Sequence, residues 1–240
     1  MKLIILVALF AFACAEIIET YESGPLVVPE NKEEFLAKIR NLPSKGRNGR
    51  ISNGNPAAEG QFSYIGRLTI IDEPFDWWTC SGAIISTNFV ITVRHCFDPQ
   101  LTVSVVVNSG SIDHLSSEMV TRFSDFWWFA PAINGWNPDL AVVRLSEHFT
   151  FNNRINSVRL PARSQENFEW LGETNTIIGW GRNAAGSMPQ FLQYGLFRMQ
   201  SNCWSNRRPT HLCSVAQNII VETRGGDCFH NHQLLFIQVN

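Results

Sequence analysis

A histidine at the end of a short apolar segment is the first residue in this sequence that could carry chemistry. His95 follows the apolar residues 89–93 after a single arginine, and Cys96 comes next. A disulfide from Cys96 back to Cys80 would close the hairpin between them and fix the histidine at the end of a rigid strand. An imidazole titrates near neutrality, so in this place it can take a proton and return it as a catalytic base. The alternative is a structural histidine beside a stabilising disulfide.

A carboxylate further along the chain offers this histidine a partner. Asp139 follows an Asn-Pro pair and precedes the apolar segment 140–145, which predicts a half-buried position at the mouth of a strand. A carboxylate in such a place needs a hydrogen-bond donor to offset its desolvation, and His95 is suited to donate. An aspartate that accepts the ring proton of a histidine fixes its tautomer and stabilises the imidazolium, as in a nucleophile–base–acid triad. A strand cap or a surface carboxylate is the alternative.

Short segments of β type would have to position both residues. They are rich in valine, isoleucine, threonine and aromatic residues and are separated by turn residues, which predicts an all-β barrel or sandwich. The segments are 64–71, 83–85, 89–93, 101–107, 140–145 and 176–178. Eight tryptophans and seventeen phenylalanines supply a sizeable core. We assign the pairs Trp77-Trp78 and Trp127-Trp128 to packing rather than to a carbohydrate-binding platform.

The residues before Ile51 differ in composition from these strands. Residues 1–15 combine a lysine, an apolar run and a small-residue cleavage site, which is typical of a secretory signal peptide. In residues 16–50, the apolar residues of 30–39 repeat at helical spacing, which predicts a helix, and 43–50 form a Gly-rich basic segment that is open to proteases. No later apolar segment is long enough to span a bilayer. We therefore expect a secreted, extracellular protein with no membrane partner.

The net charge and the cysteine content limit the classes of partner and the disulfides that can be expected. The net charge of −2 gives no reason to expect nucleic acid, and nothing in the sequence calls for a cofactor. One cysteine leaves with the signal peptide, and the rest are Cys80, Cys96, Cys203, Cys213 and Cys228. Spacing favours pairing the first with the second and the third with the fourth. Cys228 is then left over in an oxidising compartment.

Several motifs in a fixed order resemble those of the trypsin-like or chymotrypsin-like serine endopeptidases, in the style of the insect members. They are the cleavage motif 50–54, the block 80–85 with His95 and Cys96, the block 139–145, the crossing 158–161 and the Gly-Trp-Gly strand 179–181. The resemblance implies two antiparallel six-stranded β-barrels with the site in the cleft between them. Residues 51–160 would form the first barrel and 161–240 the second, and a peptide or protein would be the substrate or ligand.

The bond between Arg50 and Ile51 resembles the activation site of a zymogen, so the resemblance implies that residues 16–50 are a propeptide. In this family an activating protease cuts after the arginine and frees the amino group of the next residue. That amino group pairs with an aspartate beside the nucleophile, and the buried pair orders the oxyanion hole and the specificity pocket. Activation would thus depend on a positive charge that proteolysis creates at the new amino terminus.

The nucleophile segment departs from the family pattern, which is Gly-Asp-Ser-Gly-Gly-Pro. In one alignment Cys228 stands at the serine position and Asp227 becomes the partner of Ile51, while larger residues replace the two glycines that follow. In the other, Cys228 is the structural cysteine before the motif, His232 stands at the serine position and the neutral Asn231 replaces the aspartate. A thiolate beside an imidazole is a good nucleophile, but neither alignment supplies a serine.

The missing serine favours an inactive protein. Removing the triad serine costs about a million-fold in turnover, roughly 8 kcal/mol. The sequence also ends shortly after Cys228, so we expect the second barrel to lack its carboxyl-terminal part. His95 and Asp139 without a serine predict a non-catalytic homologue that binds peptides or proteins. The alternative is a digestive or haemolymph serine endopeptidase whose true carboxyl-terminal residues are missing from this sequence.

Two smaller features carry alternatives of their own. Arg94 could compete with His95 for Asp139, or its side chain could point to solvent. A patch of potential metal ligands near the end of the sequence consists of Asp227, Cys228, His230 and His232. Structural zinc sites more often recruit ligands from separated pairs, so we expect no metal.

Overall fold

The computed structural model describes residues 23–42, 54–132, 137–160, 172–181, 187–200, 213–217 and 235–237. Residues 23–42 contain strand β1 (Ser23–Pro25) and helix α1 (Lys32–Arg40). Asn31 caps the helix, because its side-chain oxygen accepts a hydrogen bond from the Glu34 backbone N–H at 3.1 Å. The helix predicted in this segment is therefore confirmed. None of the helices in the described part of the chain is both long and apolar enough to cross a membrane.

Antiparallel strands make up most of the remaining described structure. They are β2 (Asn55–Pro56), β3 (Ile65–Asp72), β4 (Asp76–Ile84), β5 (Phe89–Thr92), β6 (Thr102–Ser109), β7 (Val120–Phe129), β8 (Ala141–Leu145), β9 (Thr174–Gly179), β10 (Gln193–Gln200), β11 (Cys213–Gln217) and β12 (Leu235–Ile237). The first sheet runs in the order β1-β7-β6-β3-β4-β5-β8, and β7 also pairs with β8. Strands β3 to β8 therefore close into a six-stranded barrel.

The barrel core follows the two-residue period of its strands. Residues two apart on the same strand point inward into one cluster: Leu68 and Ile70, Val105 and Val107, Trp127 and Phe129. Ile71 lies on the opposite face of β3 but is also buried, because a second cluster covers the outside of the barrel there. Trp78 and Trp127 are buried in the barrel, which agrees with their assignment to packing.

The sequence pattern found some strands better than others. β5, β8 and β9 lie where short apolar segments predict them, whereas β4 begins seven residues before the predicted segment 83–85. β7 was not predicted, because polar residues interrupt its pattern. One of them, Asp125, accepts a hydrogen bond from Arg144 Nε of β8 at 2.8 Å, and another, Ser124, is fully buried. These polar groups belong to the strand although their types suggested a loop.

A second sheet contains β11-β10-β9-β12, with β2 paired to β10. A buried cluster joins the two sheets, with Tyr64, Ile65 and Ala83 on one side and Ile178, Trp180 and Leu192 on the other. The all-β prediction is therefore confirmed, with a closed first barrel and a second antiparallel sheet packed against it.

Candidate active site

The position of His95 follows from β5 and from the turn after it. β5 pairs with β4 on one side and β8 on the other, and it ends at Thr92, whose hydroxyl donates to a β4 carbonyl at 2.9 Å. A single 3-10 turn follows and carries His95 and Cys96. Cys96 forms the predicted disulfide with Cys80, and its carbonyl accepts a hydrogen bond from Trp78 Nε1 at 3.1 Å. The histidine is therefore held on a braced turn at a strand end.

Asp139 reaches His95 because β5 and β8 are paired in register. Thr92 lies opposite Ala141, so the residues just before β8 come alongside the turn that follows β5. Asp139 accepts two hydrogen bonds there, from the His95 backbone N–H to Oδ1 at 2.9 Å and from ring Nδ1 to Oδ2 at 2.5 Å. The side chains are 23% exposed for His95 and 53% exposed for Asp139. The pair is thus assembled, with the Asp139 side chain half exposed to solvent and Nε2 of His95 buried.

The carboxylate determines which ring nitrogen of His95 can accept a proton. An ionised carboxylate is an acceptor without a proton to give, so Nδ1 carries the proton in this contact. Nε2 is then the basic nitrogen, and an imidazolium formed there stays beside the negative charge of Asp139. The backbone N–H bond to Oδ1 fixes the orientation of the carboxylate at the same time. The arrangement is suited to a general base that an aspartate orients.

The Arg94 side chain packs on an aromatic ring of β7. Its guanidinium lies over the ring of Phe129, 4.2 Å from the ring centroid, and the residue is half-buried. A cation on an aromatic face gains about 0.5–2 kcal/mol from the ring quadrupole. The side chain therefore braces the turn from the side of β7.

Arg67 is a candidate site residue that the sequence motifs did not indicate. It lies where the two sheets meet, in a depression that it shares with Thr79, Cys80, Ser81, Trp180 and Gly181. Burial lowers the pKa of its guanidinium to about 10, and its Nε has no hydrogen-bond partner among the described residues. Burial first, and then the charge of Arg67, lower the pKa of His114. A lone basic residue inside the apolar segment 64–71 was the available signal, because a buried charge needs compensation.

The other predicted site residues fall at or beyond the limits of the described chain. Cys213 begins β11 and lies opposite Gln200 of β10. The remaining ones lie outside the described residues: Arg50, Ile51, Cys203, Asp227, Cys228 and His232. The activation site, the second disulfide and the position of the nucleophile therefore stay predictions.

A trypsin family model matches residues 51–227. A chymotrypsin from Phaedon cochleariae is 24% identical over 181 residues, which cover 74% of this chain and 63% of the relative. Serine protease 1 of Drosophila melanogaster is 30% identical over 164 residues, covering 65% of this chain and 58% of the relative. A collagenase from Hypoderma lineatum is 31% identical over 153 residues, covering 62% of this chain and 55% of the relative. The chain thus spans about six-tenths of the length of these relatives.

A solved structure described as HL collagenase resembles this fold. The two superpose with a TM-score of 0.62 at 22% sequence identity, covering 79% of this chain and 94% of the other. At this level of identity the likeness concerns the fold. It agrees with the closed barrel and second sheet described above.

Proposed function

The chain belongs to the trypsin family of serine proteases, and from this premise we propose that it is a secreted homologue which binds peptides or proteins without hydrolysing them. His95 is the base and Asp139 the orienting acid of an incomplete triad. The ligand binds in the cleft where the two sheets meet.

One observation carries the proposal: the base and acid are assembled, and residues 222–232 contain no serine. In this family's chemistry, the histidine takes a proton from the serine hydroxyl as the oxygen attacks the substrate carbonyl carbon. Without that hydroxyl no serine ester of the substrate forms, and in this proposal what remains is the binding of the ligand. Loss of the serine costs about a million-fold in turnover and leaves only the residual effect of substrate binding and oxyanion donors.

Activation in this proposal begins with a cut after Arg50 by another protease. The cut gives Ile51 a positive amino group, and Asp227 is the carboxylate that would receive it. This step orders the binding cleft of the homologue rather than a working oxyanion hole. The motif 50–54 supports it, together with the exposure to proteases expected of the Gly-rich segment before it.

The deciding experiment compares hydrolysis with binding in protein cut after Arg50. We expect no turnover of peptide esters or amides above background, with or without a sulfonyl fluoride that sulfonylates active serines. We also expect a labelled peptide drawn from a degenerate library to bind the cut protein in a fluorescence anisotropy assay. Turnover that the sulfonyl fluoride abolishes would disprove the proposal, and a His95→Ala variant shows whether such turnover uses this site.

A second candidate is an active endopeptidase whose nucleophile segment is not contained in this sequence. The observation in its favour is the complete base–acid pair, because peptide binding does not require a histidine held by two hydrogen bonds. Sequencing the 3′ end of the messenger RNA tests it. A transcript that encodes Gly-Asp-Ser-Gly-Gly after about Arg224 supports this candidate, and one that encodes the present residues 225–240 excludes it. Turnover blocked by a thiol alkylating agent, by contrast, would identify Cys228 as the nucleophile.

A further inference from the structure

Residues 23–42, here called the leader, fill an opening in the first barrel. β6 pairs with β7 through Val120–Phe123, and beyond that point the two strands part. β1 takes the place of β6 beside β7, with Ser23 opposite Trp128 and Pro25 opposite Phe126. Backbone groups of β6 and β7 that face this opening thus have the leader as a partner.

The leader continues through the opening after β1 and bonds to both of its sides. The Leu26 N–H donates to the carbonyl of Asp125 on β7 at 2.9 Å, and the Val27 N–H donates to the carbonyl of Val103 on β6 at 2.7 Å. The Ser104 hydroxyl donates to the Val27 carbonyl at 2.9 Å. The leader therefore completes hydrogen bonding between two strands of the barrel, in the way an inserted strand does.

Leu26 carries the leader into the barrel interior. Its side chain is 7% exposed and belongs to the same cluster as Leu68, Val105 and Trp127. Full burial of a leucine contributes about 1.5–3 kcal/mol relative to exposure. One side chain of the leader is thus part of the central core.

Helix α1 covers the outside of the same strands. Ile39 is 6% exposed and packs in a cluster with Ile71, Val106 and Phe123. The Phe35 ring lies 6.1 Å from the Phe123 ring, at an interplanar angle of 57°. Burial of Ile71 and Val106 on this outward face depends on the helix, because strand residues of that parity point away from the barrel interior.

Polar contacts fix the two ends of this helix. Lys32 forms an ion pair with Glu147, which lies beyond β8. At the other end the Trp77 indole N–H donates to the carbonyl of Leu42 at 3.1 Å, and Lys38 lies over the Phe75 ring, 3.7 Å from its centroid. These contacts hold the leader along its whole described length.

We propose that the leader remains bound to the barrel as a separate light chain after cleavage at Arg50. The inference rests on the proposed activation cut. Residues 16–50 contain no cysteine, so the attachment is noncovalent and consists of the strand pairing, the Leu26 insertion and the α1 contact. The barrel surface that binds the leader is an interaction surface whose partner is this chain's own amino-terminal segment.

The test uses the full chain with a recognition site for a sequence-specific protease in place of residues 46–50. After complete cutting, we expect the leader and the large fragment to co-elute in size-exclusion chromatography and to separate in guanidinium chloride, with mass spectrometry identifying both pieces. Elution of a free leader from a large fragment that keeps its folded circular-dichroism spectrum would overturn the inference. The engineered cut makes the outcome independent of peptide turnover, so the two proposals can fail separately.

Matched substitutions in α1 locate the contact. Ile39→Asp places a charge in the buried cluster, and Ala37→Asp places the same charge at an exposed position of the same helix. We expect cut Ile39→Asp protein to release the leader and cut Ala37→Asp protein to retain it, and equal behaviour of the two would contradict the inference. If uncut Ile39→Asp protein fails to fold, Phe35→Ala serves instead. It should raise the dissociation constant of the leader at least about tenfold, and an unchanged constant would count against the proposal.

Discussion

The contact between the leader and the first barrel is apolar and largely closed to solvent, whereas the contact between His95 and Asp139 is polar and half open. Leu26 and Ile39 lie in buried clusters. His95 and Asp139 are held by two hydrogen bonds at the ends of neighbouring strands, with Asp139 more exposed than buried. The first contact draws on burial of apolar area and the second on hydrogen-bond direction.

This difference teaches that stability and site geometry can be changed separately. An apolar contact contributes free energy roughly in proportion to the area it buries. An exposed hydrogen bond contributes about 1 kcal/mol or less but fixes orientation and tautomer. Substitutions in the leader should therefore change the free energy of unfolding but hardly the tautomer of His95. Substitutions at Asp139 should change the tautomer of His95 but hardly the free energy of unfolding.

The largest effect is expected for Leu26→Ala in the uncut protein. The substitution leaves a cavity in the barrel core, which should lower the free energy of unfolding by about 2–5 kcal/mol. Urea denaturation followed by tryptophan fluorescence measures it. Val27→Ala is the matched control, because the neighbouring Val27 side chain is 59% exposed and its loss should change stability by about 0.5 kcal/mol or less. Equal losses for the two variants would mean that the leader is not part of the core.

The disulfide lies between the two regions, since Cys96 follows His95 and Cys80 lies in the barrel core. Replacing both cysteines by alanine should destabilise the protein by about 3 kcal/mol, given the sixteen-residue separation. The measurement is chemical denaturation of the variant beside the oxidised parent. The parent in a reductant should lose at least as much stability, because the reductant also opens the predicted second bridge between Cys203 and Cys213. A loss below about 1 kcal/mol would show that β5 and the Trp78 hydrogen bond hold the turn without the bridge.

Asp139→Asn should have a small effect on stability and a clear one on the histidine ring. An amide oxygen can still accept from Nδ1, but the amide carries no charge and its N–H₂ group can face the ring instead. We expect the proton of His95 to shift in part from Nδ1 to Nε2, as read from imidazole ¹⁵N chemical shifts, with stability changed by about 1 kcal/mol or less. Asp125→Asn, which removes the carboxylate beside Arg144, is the control and should leave the His95 shifts unchanged. Unchanged ¹⁵N chemical shifts of His95 in the Asp139→Asn protein would contradict an orienting role for Asp139.

The strands that the sequence predicted each carry a recognisable pattern of residue types within their own segment. β5 and β8 are short apolar segments, so their residue types and order sufficed to predict them. The pairing of Asp139 with His95 follows because β5 ends and β8 begins at the same edge of the sheet. β1 has no such signal, because Ser23, Gly24 and Pro25 have low strand propensity. Its strand conformation comes from the opening between β6 and β7, a property of the assembled barrel.

The sequence predicted the site residues that are titratable and lie next to apolar segments. It did not predict the residues whose properties depend on burial in the folded protein. His95 and Asp139 stand out as titratable groups next to apolar segments. Arg67 looks like an ordinary basic residue until the second sheet covers it and burial lowers the pKa of its guanidinium to about 10. The role of Arg94 likewise depends on Phe129, a residue of the one barrel strand that the pattern missed.

The smallest expected effect tests the polar edge of the leader contact. Lys32 donates to Glu147 and holds the pKa of that carboxyl below its usual value. A lowered folded-state pKa means that the pair stabilises the leader contact above the ordinary glutamate pKa and loses this contribution as pH falls through the lowered value. Both side chains are substantially exposed, at 37% and 55%, so the effect should be about 0.5 kcal/mol or less and screened by salt.

Leader dissociation from cut protein, measured between neutral pH and pH about 3, should rise slightly on acidification, and Glu147→Gln should flatten that rise. Glu118→Gln is the control, because Glu118 pairs with Arg154 away from the leader, and an equal flattening there would assign the pH dependence to the barrel as a whole.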